Sequence, residues 1–211
     1  LPVVSSKRSI LFSIALGLLV LLPFSVITIN RNKVWKDSMT LFTADLETGS
    51  NCALLQYHWG GERINEGVYT TDPVKKNQYI LEGLHRLRRA VEIFPNFSDA
   101  WNRIGDVYEY LGSGNADKVK MDSAIFAYRE AVRMDANQYN ANFHLGNIFT
   151  LLHNYENASY YYNMALRINP ESVEAKAQVK KIRDATGLDV MTLPGEPGNS
   201  IKEKPIIPPK F

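Results

Sequence analysis

The sequence holds one cysteine, Cys52, in 211 residues. No internal disulfide can form, although that says nothing of compartment. A dominant charge is also missing. The 24 basic and 22 acidic residues leave a net charge of +2, which gives no reason to invoke nucleic acid or an acidic substrate. Signatures of chemistry are missing too: there is no Walker loop, GxGxxG, GxSxG or HExxH. The four histidines, His58, His85, His144 and His153, show no metal-ligand spacing. No catalytic, cofactor-binding or metal-binding residue is expected in this chain.

What is present is unevenly spread. Ile10–Ile29, "ILFSIALGLLVLLPFSVITI", carries no charge over 20 residues. At about 1.5 Å per residue a helix of that length spans roughly 30 Å, the depth of a bilayer's hydrocarbon core. Pro23 is tolerable in a membrane helix. A cleaved signal peptide is the alternative, since Lys7 and Arg8 precede the run, but signal h-regions are usually shorter. Lys7 and Arg8 on one side and Arg31, Lys33 and Lys36 on the other leave orientation undecided by charge. Leu1 in place of Met suggests a piece of a longer chain. From Leu193 onward the segment "LPGEPGNSIKEKPIIPPKF" has five prolines and no helical period. It is expected to be a disordered tail, 188–211.

Between these ends the chain repeats itself. "QYHWGGER" (Gln56–Arg63), "WNRIGDVY" (Trp101–Tyr108) and "NFHLGNIF" (Asn142–Phe149) align on Gly60, Gly105 and Gly146. Their second halves align as Gly83–Pro95, Ala124–Ala136 and Ala158–Pro170. The pattern W-x2-L-G-x2-Y … A-x3-F … P resembles that of the tetratricopeptide repeat (TPR). Trp101, Gly105, Tyr108, Ala124, Tyr128 and Ala131 carry it in the second copy. Leu145, Gly146, Phe149, Ala158, Tyr162, Ala165 and Pro170 carry it in the third. The first copy is the poorest match: Arg63 stands where an aromatic is expected, and Gly83 replaces Ala. The resemblance implies an all-α fold, in which a transmembrane helix is followed by a right-handed superhelix of about three helix pairs and a capping helix. Small residues sit where paired helices touch, and large ones fill the seams.

The expected divisions are 1–9 flank, 10–29 membrane helix, 30–50 junction helix, 51–98, 99–138 and 139–172 repeats, and 173–187 capping helix. The capping helix alternates charge with Val173, Ala177, Val179 and Ile182, reads as polar-faced, and should stop at Gly187. The glycine spacings, 105 − 60 = 45 and 146 − 105 = 41 residues, exceed the usual period of about 34. The excess is assigned to inserted loops at Asn65–Tyr79 and Leu111–Asp122, both rich in turn formers.

Just after the apolar run, "NRNKVWKDSMTLFTADLE" carries Arg31, Asn32, Trp35, Asp37, Leu41 and Phe42. This junction resembles the C-terminal membrane exit of the transmembrane-and-TPR O-mannosyltransferase-like glycosyltransferases and their bacterial relatives. In that family catalytic acids lie in a loop far upstream, and the sugar donor is lipid-linked. The resemblance implies a last membrane helix and an extracytoplasmic repeat tail with no chemistry of its own, holding a polypeptide acceptor or partner. A self-contained membrane-anchored TPR adaptor is the alternative. Read from the residues alone, Trp35 is an interfacial anchor, the basic residues snorkel, and Asp37 or Ser38 caps a helix.

In TPR superhelices the first helix of each pair lines a concave groove. The residues expected there are Tyr57, His58 and Ile64, then Asn102, Asp106 and Glu109, then Phe143, His144, Asn147 and Thr150. The lining lacks the Lys/Arg/Asn set with which some TPRs clamp a C-terminal carboxylate, which disfavours that partner. Asn96-Phe97-Ser98 and Asn157-Ala158-Ser159 fit the glycosylation triplet, but capping is the expected role of Asn157.

Overall fold

The computed structural model describes residues 7–114 and 117–187, and every regular element among them is an α-helix. The chain divides into two compact units at Ser50. The expected tail lies outside the described residues.

The first unit holds α1 (Lys7–Val34) and α2 (Ser38–Gly49). Within α1, Ile10–Asn30 has a mean hydropathy of 2.7 and none of it is buried inside the protein. A helix that is apolar on every side and uncovered by protein has the character of a membrane-facing one. By length and composition it could cross a membrane; a signal sequence near the N-terminus would meet the same criteria. The cap of α2 is Asp37, whose Oδ1 accepts from both Thr40 N and Thr40 Oγ1 at 2.7 Å. Leu46 is buried, with Leu41 and Phe42 half-buried beside it.

The second unit holds α3 (Ala53–Tyr69), α4 (Pro73–Ile93), α5 (Ser98–Ser113), α6 (Lys118–Met134), α7 (Tyr139–Leu151), α8 (Tyr155–Ile168) and α9 (Val173–Thr186). They pair as hairpins α3/α4, α5/α6 and α7/α8, and each hairpin packs on the next helix in line. The second and third copies match closely. A Cβ placed on Gly105 would lie 2.6 Å from the Tyr128 ring, and one on Gly146 would lie 2.6 Å from the Tyr162 ring. Both rings are fully buried. Ala124, Ala131, Ala158, Ala165 and Leu145 are fully buried around them, and Trp101, Tyr108 and Phe149 are buried in the seams. In the first copy two glycines meet instead, Gly60 against the Gly83 carbonyl, and Leu87 takes the place of the tyrosine. Arg63 fills its aromatic position by lying over the Tyr79 ring at 3.7 Å and pairing with Glu82 at 2.6 Å.

The turns between hairpins repeat as well. Phe94 N, Asp135 N and Asn169 N bond the carbonyls of Ala90, Ala131 and Ala165. Pro170 lies in the last of these turns. The copies are also tied by one recurring stack: Arg88 of α4 covers Tyr108 of α5, and Arg129 of α6 covers Phe149 of α7. Arg88 also hydrogen-bonds the Tyr108 hydroxyl.

The expectation of inserted loops is corrected. The excess length does not form them. Asn65–Tyr69 continues α3, Pro73–Tyr79 begins α4, and only residues 70–72 connect them. In the second copy α5 runs to Ser113 and α6 starts at Lys118. The reason is capping and periodicity. Asp72 accepts from Val74 N and Lys75 N with Pro73 in the first turn, and Asp117 does the same for α6. Buried Ile64, Gly67, Ile80 and Leu84 keep the helical spacing across the supposed loop. In α9 the inward residues are Ala175, Val179 and Ile182, whereas Val173 and Ala177 are exposed. The Ser172 cap sets this phase, and Gly187, at φ 69°, ends the helix as expected.

Asn157 is not a cap. It is buried in the first turn of α8, and the Asn154 side chain accepts from its backbone N–H. Beside it, Ser159 Oγ is fully buried and has no hydrogen-bond partner. Ser159→Ala should therefore leave stability unchanged or raise it by about 0.5–1 kcal/mol, because an uncompensated hydroxyl is removed. Thermal unfolding followed by circular dichroism checks this.

Candidate functional site

The expected groove residues lie on the first helices of the three hairpins, α3, α5 and α7. Ile64 among them is buried and its Cγ1 packs under Gly83, so it belongs to the seam. Tyr57 is half-buried against Phe97 at 5.0 Å between ring centres, and His58 is exposed. Asn102 keeps its Oδ1 buried without a donor. Phe143 lies between Tyr139 and Tyr162, at 5.9 and 5.7 Å.

The polar residues of this set on α5 and α7 are not idle solvent-facing groups. The Tyr128 hydroxyl, on the far helix α6, reaches through the seam to Asp106 Oδ1 at 2.9 Å and Glu109 Oε2 at 2.7 Å. His144 of α7 stacks on the Tyr128 ring at 5.3 Å and pairs with Glu109 at 2.9 Å. Asn147 plays the matching part in the third copy, accepting from the Tyr162 hydroxyl at 2.7 Å. Thr150 lies 3.4 Å from the same hydroxyl. Arg103 bonds Asn65 at 2.8 Å and lies 3.9 Å from Asp106. These groups satisfy buried tyrosines, a role invisible before the two helices are set in register.

One hydroxyl hydrogen cannot serve two carboxylates at once. Burial raises the Asp106 pKa, although His144, Tyr128 and Arg103 oppose it. Burial also works against the Glu109 carboxylate, but hydrogen bonds from His144 and Tyr128 outweigh it and lower the pKa. For His144 burial opposes the cation, and the hydrogen bond and charge of Glu109 outweigh it, raising the pKa. The result is a chain in which the Tyr128 hydroxyl lies between Asp106, whose charged form burial disfavours, and Glu109, whose charged form its partners favour and which faces His144.

The sign for stability follows. His144 and Asp106 have raised pKa values, so their contributions are complete below the ordinary values of 6.5 and 3.8 and fade as pH rises through the folded ones. Glu109 contributes above 4.5 and loses its contribution as pH falls through its lowered value. Asp106→Asn fixes the uncharged state. It should raise the Tm at pH 8 and flatten the fall that sets in as pH rises above 3.8, leaving the His144 share above 6.5. An unaltered pH profile of Tm would contradict the chain.

Among the residues singled out at the membrane exit, Asn32 and Trp35 are exposed, and Asn32 O accepts from Trp35 N at 3.3 Å. Arg31 lies in the last turn of α1. No group of three or more potential metal ligands occurs among the described residues.

This arrangement of stacked hairpins is a helical-repeat fold of the TPR type. A family model described as tetratricopeptide repeat matches residues 139–172, the copy without excess length. No curated protein matches the sequence. Among solved structures, MamA is similar over 71% of this chain and 77% of its own, with a TM-score of 0.56 and 15% identity. The first TPR of Spaghetti (RPAP3), bound to the HSP90 peptide SRMEEVD, is similar over 64% of this chain and 94% of its own, at 0.52 and 19%. Yeast Tom70 is similar over 72% of this chain and 29% of its own, at 0.52 and 18%. At these identities the likeness concerns the fold.

Proposed function

We propose that this chain is the membrane-anchored, extracytoplasmic TPR portion of a multi-spanning glycosyltransferase-like protein, where it holds a polypeptide acceptor or partner close to the bilayer. The carrying observation is the order of the parts: an uncovered apolar helix, a short capped helix, then a stack of hairpins. The sequence at Arg31, Asn32, Trp35 and Asp37 supports the glycosyltransferase setting. Peptide capture by a similar fold, in the Spaghetti structure, supports the polypeptide ligand. Among the side chains on the first helices that reach the surface are His58, exposed, and Tyr57 and Phe143, half-exposed. Asp106, Glu109, His144 and Asn147 act from behind as a polar wall already engaged in hydrogen bonds.

A reporter active only outside the cytoplasm, fused after Phe211, tests the setting. Activity is expected, and a silent but well-expressed fusion would sink the topology. A photo-crosslinking residue at His58 should capture a polypeptide in cells. The same residue at His85, on the second helix of its hairpin, should not. Equal capture at both would remove the groove from consideration.

A further inference from the structure

Most of the large apolar side chains that the repeats leave in water share one edge. Successive helices of a hairpin stack run in opposite directions, so the C-terminal ends of α3, α5 and α7 share one edge with the N-terminal ends of α4, α6 and α8. At that edge Tyr69 is 84% exposed, Val74 74%, Val119 75% and Leu151 65%. Val68, Tyr110 and Leu152 are exposed beside them. Lys75, Lys76, Lys118 and Lys120 flank these residues. Asp72 and Asp117 cap α4 and α6 and lie 4.0 and 3.0 Å from Lys75 and Lys120, which leaves Lys76 and Lys118 beside the apolar tips. The opposite edge, at the turns between hairpins, is built from Asn96, Asp135, Asn137, Asn169 and Glu171, with Leu54, Phe94 and Val173 as its exposed apolar residues and no tyrosine among them.

We propose that the hairpin-tip edge is a membrane-contact surface that rests on the headgroup region of an anionic bilayer. Tyrosine prefers the interface, where its ring meets acyl chains and its hydroxyl meets water. Short aliphatic tips dip below the headgroups, and lysines beside them meet lipid phosphates. The first two hairpins carry tyrosine, valine and lysines together, and the third adds Leu151 and Leu152, a repetition that a polypeptide partner would not need. The inference rests on α1 spanning the membrane. The link from Val34 to Ala53 then keeps the repeats within roughly 60 Å of the bilayer even if fully extended, so weak contacts act at high local concentration.

The test uses the full chain with Cys52→Ser, reconstituted in vesicles of phosphatidylcholine and phosphatidylglycerol. Single cysteines carry a spin label at Tyr69, Val119 or Leu152, at Phe94 on the opposite edge, and at Gly17 inside α1. Relative collision rates with oxygen and a water-soluble nickel complex report depth. The tip labels should show a ratio several-fold above the Phe94 label, and Lys76→Glu with Lys118→Glu should lower it. Tip labels as wet as Phe94, with the Gly17 label in lipid, overturn the inference while leaving the anchor intact. A wet Gly17 label overturns the anchor and the inference together. An unchanged ratio in the glutamate variant removes the lysines from the contact.

Discussion

Gly146→Leu should lower the stability of the repeat unit by about 3 kcal/mol, a fall in Tm of roughly 10 °C. The cause is local and has no easy relief. Even a lone Cβ at this position would stand 2.6 Å from two carbons of the Tyr162 ring. That ring is almost fully buried and is held at its far end by Asn147. It cannot swing aside without breaking the hydrogen bond and the packing of Phe143 and Thr150. Gly105→Leu meets the same obstacle in Tyr128, so the two substitutions should cost similar amounts. Gly61, with nothing within 4 Å of its would-be Cβ, is the control: Gly61→Ala should be harmless or slightly stabilising in mid-helix. Thermal unfolding of the three variants settles the comparison. A Gly146→Leu protein with unchanged Tm would mean that the seam is not formed as described.

Tyr128→Phe should cost about 2 kcal/mol, and Tyr162→Phe about 1 kcal/mol. The rings pack alike, so the difference isolates what each hydroxyl serves. The Tyr162 hydroxyl satisfies one amide oxygen, which can turn toward water. The Tyr128 hydroxyl separates two carboxylates, one of them facing His144. Without it Asp106 and Glu109 confront each other with no donor between them. The penalty should shrink when Asp106→Asn is added, since one charge is then gone and the amide supplies a donor. This non-additivity separates the network from a simple loss of packing. Equal costs for the two phenylalanine variants, or strict additivity with Asp106→Asn, would contradict the chain of hydrogen bonds.

The fold could be read from the sequence wherever small and large residues recur at fixed spacing. Gly105, Ala124, Gly146 and Ala158 mark the close approaches because only small residues tolerate them, and that constraint is local. The ends of the hairpins were misread for a local reason as well. Asp, Asn and Gly between Asn65 and Tyr79 signal a loop by composition, yet Asp72 followed by Pro73 is a helix start and narrows the break to three residues. The polar wall was legible as a position and not as a set of bonds. That Asp106 and Glu109 share a tyrosine from another helix depends on how far α6 slides along α5. No spacing within either helix encodes that distance. Arg63 was visible as a departure from the repeat, but its partner Tyr79 lay in the segment taken for a loop.

The helices of the stack shorten along the chain, from 17 and 21 residues in the first hairpin to 13 and 14 in the third. A pull applied at the C-terminal end therefore meets its shortest seam first and progressively longer ones after it. Tension entering at that end would peel α9 and the third hairpin before it strained the first hairpin. The grading of seam length would make the C-terminal end of the stack the first to yield under load.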